Sequence, residues 1–115
     1  MSKQGISLLT KSVIASAALI AHRAVTAAGA HAAADIYGVA NTSGAIGDVV
    51  PVDVIGTTPM EAGAAIPVGT KYVIADGVGR AIVGGTAAAC LGRLVPGESA
   101  SAAGQFVEVL LTPAV

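Results

Sequence analysis

The residues that could support chemistry are few and widely spaced in this sequence. Two histidines, His22 and His31, lie nine residues apart, and the single cysteine, Cys90, lies far from both. A metal site or a nucleophilic centre needs several such groups at a fixed spacing. The histidines could meet across a hairpin, but no third ligand is obvious. We therefore expect two surface or interface histidines, no metal site and no cofactor.

No familiar catalytic or phosphate-binding motif occurs. Serine, histidine and carboxylates are all present, but a Gly-x-Ser-x-Gly turn is not. The glycines in Gly77-Val78-Gly79 and Gly84-Gly85 precede neither Gly-Lys-Ser/Thr nor a Gly-x-Gly-x-x-Gly helix start. They are typical of hairpin turns and bulges. The sequence thus predicts a protein that is not an enzyme.

The remaining reactive groups also suggest structural roles. Asp48, Asp53, Asp76 and Glu98 lack the spacing of a calcium site, so we expect solvated or interface charges in turns and on outward strand faces. Cys90 lies in an apolar run and is expected to be a small buried hydrophobic residue. One cysteine excludes an internal disulfide and is compatible with a reducing compartment.

The composition predicts a domain that needs neighbours. The 115 residues fit one domain, yet they include no Trp, one Phe and two Tyr. Full burial of a large apolar side chain contributes about 1.5–3 kcal/mol, and alanine contributes much less. Because 54% of the residues are hydrophobic and only 11% are charged, we expect oligomerisation or docking onto a large partner to cover apolar surface.

Charge and hydropathy exclude two classes of partner. The formal net charge is −1, and the Lys and Arg residues form no basic stripe. Nucleic-acid binding requires phosphate neutralisation, so we expect no nucleic acid. A membrane-spanning helix needs about 20 apolar residues, and His22 and Arg23 interrupt the apolar run that begins at Val13. We expect no membrane partner.

Strand patterns recur along the chain. Residues 35–55 predict two strands around a glycine-marked loop. The second strand alternates with period two, in the order Val50, Pro51, Val52, Asp53 and Val54. A similar phrase returns over residues 90–111, where Val107-Glu108-Val109 matches Val52-Asp53-Val54. These patterns predict an all-β fold, a small barrel or sandwich made of two similar β units.

Residues 71–83 predict the clearest hairpin. The Asp76-Gly77 pair favours a tight turn in which both turn residues have positive φ. The segment 24–29 aligns with 72–77 in the same pattern. The connector that precedes this hairpin contains Thr58-Pro59, which could also begin one helical turn.

Three structures compete for residues 12–35. The alanines permit an amphipathic helix, and the apolar run after Lys11 resembles an export signal. The third alternative is a pair of short strands, 18–26 and 31–40, joined at Ala28-Gly29. We favour the strands because of the repeat.

These patterns divide the chain into an N-terminal arm and one β domain. The arm covers residues 1–12, and the domain covers 13–115. The domain comprises a first β unit (13–55), a connector (56–69) and a second β unit (70–115). Ile6, Leu8 and Leu9 form the candidate interface of the arm, which could add as a strand to a sheet edge, its own or a neighbour's.

The repeated phrase resembles that of a family of small head proteins of tailed phages, the capsid cement or decoration proteins. The family phrase consists of an apolar triplet, Gly-Val-Ala, a small polar loop, a glycine and an alternating valine strand. Here the phrase reads Ile36-Tyr37-Gly38-Val39-Ala40, then Gly47-Asp48-Val49-Val50-Pro51-Val52, and again Cys90-Leu91-Gly92-Arg93-Leu94, then Gly104-Gln105-Phe106-Val107-Glu108-Val109. The resemblance covers most of the chain from about Ala18 on.

The resemblance implies a structural virion protein on the outside of a phage head. Such a protein binds the major capsid protein, stabilises contacts between capsid subunits and associates with itself as a trimer or dimer. It would be made in the host cytoplasm and carried on the capsid exterior. The alternative is a small secreted or periplasmic β domain with an N-terminal export signal.

Overall fold

The structure is a computed structural model that describes residues 5–34, 36–86 and 90–111. This part of the chain forms eight β-strands and contains no helix. The strands are β1 Ser7–Ile14, β2 Ala24–Thr26, β3 Ile36–Ala40, β4 Val49–Glu61, β5 Tyr72–Ala75, β6 Ala81–Val83, β7 Gly92–Leu94 and β8 Phe106–Leu111. The all-β prediction is confirmed.

The strands form one antiparallel sheet that nearly closes into a barrel. Its order is β2-β3-β4-β8-β7-β5-β6, and β1 pairs with β4 in addition. The two ends of this order approach each other, because the Ala24 amide donates to the Gly79 carbonyl at 2.7 Å. A parallel bridge between Ala62 and Ala81 ties β6 to the end of β4. The prediction of a barrel or sandwich therefore resolves toward the barrel.

The central strand β4 bends at Gly56, which has a φ of 117°. Before the bend β4 pairs with β1 and β3, and from the bend onward it pairs with β8. Only glycine adopts such a φ without strain, so the strand turns here without ending. A break was expected at this residue, and residues 56–61 of the predicted connector instead continue the strand.

The helical turn predicted at Thr58-Pro59 is wrong. Residues 57–61 alternate between half-buried and buried positions, with Thr58 and Met60 buried. This period-two burial belongs to a strand, and cross-strand pairing with β8 along the whole segment overrides the local helix-start signal.

Two apolar clusters lie on opposite faces of β3 and of the sheet around it. The larger one fills the barrel with Met60, Ile66, Val73, Leu94, Val107, Val109, Leu111 and several alanines. The smaller one packs β1 and the following loop against the outside of β3 and β4, through Val13, Ala15, Leu19, Val25, Ala40, Val50 and Val52. Small side chains dominate both clusters, as the composition predicted.

Residues 12–34 contain strands and no helix. β1 ends at Ile14, and β2 pairs with β3 in antiparallel fashion, so the strand alternative is confirmed in kind and the helix is wrong. The observed β2 is shorter than the predicted strand 18–26. None of the described residues belongs to a helix long and apolar enough to cross a membrane.

The predicted N-terminal arm is not confirmed. Its described residues from Ser7 onward belong to β1, which pairs along its whole length with β4 of the same chain. The strand therefore adds to the sheet of its own chain and not to that of a neighbouring chain. The reason is apolar burial, because Val13 packs opposite Val50 in the smaller cluster.

The hairpin between β5 and β6 is confirmed, but its turn differs from the prediction. The Gly79 amide donates to the Asp76 carbonyl, and positive φ falls on Gly79 rather than on Asp76 and Gly77. The turn before β3 has the same form, with Gly29 at a φ of 90°. Gly29 thus corresponds to Gly79, two residues beyond the predicted match.

The pairing pattern repeats across the sheet. β2 pairs with β3 and β3 with β4, while β5 pairs with β7 and β7 with β8. The division into units 13–55 and 70–115 stays a prediction, and β4 extends across the proposed limit at residue 55.

Candidate functional site

The three residues of the predicted interface all lie exposed on or beside β1. Leu8 is 74% exposed, and Ile6 and Leu9 are exposed as well. The β1–β4 register shifts on both sides of Leu9, so the regular alternation of faces is interrupted there. The irregularity lets neighbouring apolar side chains of this segment reach solvent together.

An outward-facing row of side chains continues from Ile6 across the sheet. Ile6 and Thr57 are joined by two hydrogen bonds, and Thr57 lies opposite Leu110. Leu110 lies opposite Arg93, which lies opposite Tyr72. Directly opposed residues share a face of an antiparallel sheet. The row therefore forms a continuous mixed surface across five strands, apolar at one end and basic and aromatic at the other.

The strand β1 also presents one edge without a strand partner among the described residues, since it pairs with β4 alone. An open strand edge offers backbone donors and acceptors to another extended chain. The exposed leucines and this edge lie on the same element, so both belong to one candidate interaction surface.

Asp53 is buried, which corrects the prediction that it faces outward as a solvated charge. The residue is 6% exposed. Its carboxylate accepts hydrogen bonds from the Thr58 hydroxyl at 3.1 Å and the Thr10 hydroxyl at 3.3 Å, and from the Asn41 amide at 3.3 and 3.4 Å. Since Thr10 lies on β1, the carboxylate links β1 to the barrel. The alternation of valines gave no sign of this, because it does not show what covers the other face.

A half-open cleft of about 210 Å³ lies beside this carboxylate. It is lined by Gly5, His22, Asn41, Asp53, Thr58 and Pro59. The His22 Nδ1 atom is buried and has no hydrogen-bond partner among the described residues. His22 also has a φ of 67°, in the left-handed region that non-glycine residues seldom adopt. Such strain and such an unpaired atom point to a functional position.

The surroundings of His22 are fixed by packing and by an ion pair. Its ring meets Phe106 edge to face, with centroids 5.4 Å apart. The Glu61 amide donates to the His22 carbonyl. The neighbouring Arg23 donates to both carboxylate oxygens of Glu61, at 3.0 and 3.2 Å. This two-point contact holds the loop before β2 against the end of β4.

His31 serves the backbone. Its Nε2 accepts a hydrogen bond from the Ile20 amide at 2.9 Å, and its Nδ1 lies 2.8 Å from the Ala24 carbonyl. Both ring nitrogens are thus engaged, and the ring does not join His22 in a metal site. No group of three or more potential metal ligands occurs within residues 5–34, 36–86 and 90–111.

The other predicted solvated carboxylates accept hydrogen bonds from backbone amides. Asp48 accepts from the Ala45 amide, and Glu98 accepts from the Glu108 amide. Asp76 is half-buried and accepts from the amides of Val78 and Arg80 and from the Arg80 guanidinium. Burial raises the pKa of the Asp76 carboxyl, but these hydrogen bonds and the Arg80 charge outweigh it and hold the pKa below its ordinary value.

Cys90 is half-buried and unpaired by any disulfide. It was expected to be fully buried, and it instead lies at the start of the segment that leads into β7. The cysteine makes no part of the cleft or of the β1 surface.

Comparison with known proteins supplies a family match over nearly the whole chain. The family described as phage cement protein matches residues 3–111. No curated protein matches the chain in sequence.

A solved structure matches the fold. The head fiber gp8.5 N base of bacteriophage phi29 superposes with a TM-score of 0.68, over 90% of this chain and 93% of that chain. The two sequences are 20% identical, so the likeness concerns the fold alone.

Proposed function

The chain belongs to the phage cement protein family and is a structural protein of the phage virion, and from this premise we propose that it binds the outside of the head and stabilises contacts between major capsid subunits. The surface centred on β1 carries the binding. We infer that the protein is made in the host cytoplasm and assembles onto the exterior of the capsid. We also infer that it has no catalytic activity.

The single observation that carries the proposal is the exposed apolar stretch of β1 beside an open strand edge. Leu8 and its neighbours remain uncovered in the isolated chain although the strand is integrated into the sheet. Apolar side chains add affinity when a partner covers them, and an open edge adds backbone hydrogen bonds with an extended segment. Many copies on one shell multiply such contacts.

We also propose that the protein associates with itself as a dimer or trimer. Its small side chains allow backbones to approach closely, and several exposed apolar residues lie outside β1, among them Ile46 and Val49. The mass in solution, measured by light scattering at several concentrations, is expected to exceed that of one 11.0 kDa chain. A monomer at all concentrations would contradict self-association but leave head binding to be decided by the next experiment.

The experiment compares Leu8→Asp with Val68→Asp on purified heads that lack the protein. Both residues are strongly exposed, at 74% and 70%, but Val68 lies in the turn 67–70, away from β1. We expect Leu8→Asp to bind heads at least about tenfold more weakly, because it places a charge where the complex would bury an apolar side chain. Val68→Asp should bind like the wild type. Head stability to heating should follow occupancy.

Two results would contradict the proposal in different ways. Equal binding of Leu8→Asp and the wild type would remove β1 from the interface. Failure of the wild type to bind heads, or binding without any gain in head stability, would remove the cement function itself.

A further inference from the structure

The cleft beside Asp53 offers hydrogen-bond acceptors, and none of the described residues that line it is a lysine or an arginine. Two of the residues that line it, Asp53 and Asn41, carry acceptor oxygens. The Asp53 carboxylate is negatively charged. Asn41 uses its amide nitrogen toward Asp53, which leaves its oxygen available. The His22 Nδ1 atom is buried without a partner in the described chain.

The carboxylate of Asp53 is held loosely for a buried charge. Hydrogen bonds to a carboxylate from charged donors usually measure about 2.7–2.9 Å, whereas its donors here are neutral groups at 3.1 to 3.4 Å. A buried carboxylate normally has a cationic partner. The geometry leaves room for a shorter, charged contact.

Two basic residues adjoin this region in sequence, and neither pairs with Asp53 in the described chain. Arg23 is bound at two points to Glu61. Lys11 follows Thr10 on β1, and since Thr10 lies opposite Asp53, the Lys11 side chain points to the other face of the strand. Asp53 therefore has no Lys or Arg partner among the described residues, and a cation that pairs with it would come from outside them.

We propose that the cleft receives an arginine side chain of a neighbouring capsid subunit. A guanidinium carries five donors in a planar fork, which suits the acceptor oxygens of Asp53 and Asn41 better than the compact ammonium of lysine does. The volume of about 210 Å³ far exceeds the roughly 30 Å³ share of one water molecule. This inference rests on the proposed function for its partner, but the chemistry of the cleft can be tested alone.

The first experiment titrates the whole protein with methylguanidinium and follows the ring resonances of His22 and the side-chain amide of Asn41 by NMR. Saturable shifts are expected with a Kd on the order of 1 to 10 mM, as suits so small a ligand. Tetramethylammonium at equal ionic strength has the charge without the donors and should leave these resonances in place. Absence of saturable shifts with methylguanidinium, or tighter binding of methylammonium, would overturn the arginine assignment.

Variants locate the binding on Asp53. Asp53→Asn keeps the shape and removes the charge, and it should weaken methylguanidinium binding at least about tenfold because the contact is charge-assisted. Asn41→Ala provides a second test at an exposed position should Asp53→Asn fold poorly, and it should weaken binding severalfold. Asp48→Asn removes an exposed carboxylate in the turn before β4 and should bind like the wild type. Equal loss in Asp53→Asn and Asp48→Asn would show general charge attraction and overturn the site.

The last comparison uses heads. Asp53→Asn should bind heads at least about tenfold more weakly than Asp48→Asn, and equal binding would overturn the partner assignment. Lys3→Ala should bind methylguanidinium as the wild type does. A large gain in its affinity would show that Lys3 of the same chain fills the cleft. If the wild type ignores heads while methylguanidinium still binds at Asp53, the proposed function fails and the cleft chemistry stands.

Discussion

Asp76 shows how one side chain can organise a turn of this barrel. Its carboxylate accepts from two backbone amides and from the Arg80 guanidinium, and the Asp76 amide donates to the Arg80 carbonyl. The sequence pointed to Asp-Gly as the turn signal. The structure places the left-handed residue at Gly79 instead, because the Asp76 side chain stabilises a longer turn that ends there.

Replacing Asp76 by Asn should reduce stability in a pH-dependent way. The pKa of Asp76 in the folded protein lies below its unfolded value of about 3.9, so the carboxylate stabilises the fold above that pH. The contribution is lost as the pH falls through the folded pKa. We expect a loss of about 1 kcal/mol in the free energy of unfolding at pH 7, and a smaller loss at acidic pH, where the carboxylate of the folded protein becomes protonated. Urea unfolding at both pH values measures it; an unchanged difference between them would contradict the assignment.

The hydrogen bonds of His31 fix its tautomer. A backbone amide can only donate and a carbonyl can only accept, so Nε2 facing the Ile20 amide must be unprotonated and Nδ1 must carry the hydrogen toward the Ala24 carbonyl. We expect ¹⁵N shifts of the ring at pH 8 to report the Nδ1–H form. The ring of His22 serves as the internal comparison. Detection of the Nε2–H form of His31 would show that the loop between β1 and β2 is held differently.

At the scale of elements, β1 is the strand that sequence patterns described least well. Sequence patterns divide its residues between an arm that could add to a sheet edge and the start of an ambiguous segment. The structure makes one strand of them, in which Val13 is 6% exposed and Ile14 is 67% exposed. The strand is therefore anchored on one face and available on the other.

Substitution of these two neighbours by Asp should separate anchoring from exposure. Val13→Asp buries a charge in the smaller apolar cluster, and we expect it to lower the free energy of unfolding by at least about 3 kcal/mol. Ile14→Asp should change it by less than about 0.5 kcal/mol. Thermal and urea unfolding measure both. Similar stability of the two variants would mean that β1 detaches from the barrel in solution.

At the scale of the whole molecule, closure of the barrel depends on close backbone approach. The Ala24 amide reaches the Gly79 carbonyl at 2.7 Å, and a Cβ at Gly79 would lie 2.6 Å from the Ala24 carbonyl oxygen. Two alanines, Ala62 and Ala81, form a parallel bridge that also helps to close the barrel. Small side chains thus have a structural use here, since larger ones would hold the end strands apart.

Gly79→Ala and Gly47→Ala form a matched pair that tests this closure. Both glycines have a φ near 90°, but a Cβ at Gly47 meets nothing within 4 Å. We expect Gly47→Ala to cost about 1 kcal/mol, from backbone strain alone, and Gly79→Ala to cost about 3 kcal/mol or more. Equal losses in the free energy of unfolding, measured with urea, would indicate that β2 and the β5–β6 turn are not in close contact.

The amino-acid pattern alone was enough to predict the fold class, most strands and the family, because period-two patterns and turn glycines are local signals. It predicted the valine alternation that buries Val50 and Val52, and the hairpin that contains Asp76. It also predicted Ile6, Leu8 and Leu9 as a candidate interface, and this assignment stays a prediction.

How these elements contact one another depends on the folded chain. The bend at Gly56 and the burial of Asp53 depend on strands that are distant in sequence, since β8 continues the pairing of β4 and β1 covers the carboxylate. Which face of a strand is covered is a property of its neighbours in space. The cleft with its unpaired His22 nitrogen therefore has no signature in the sequence.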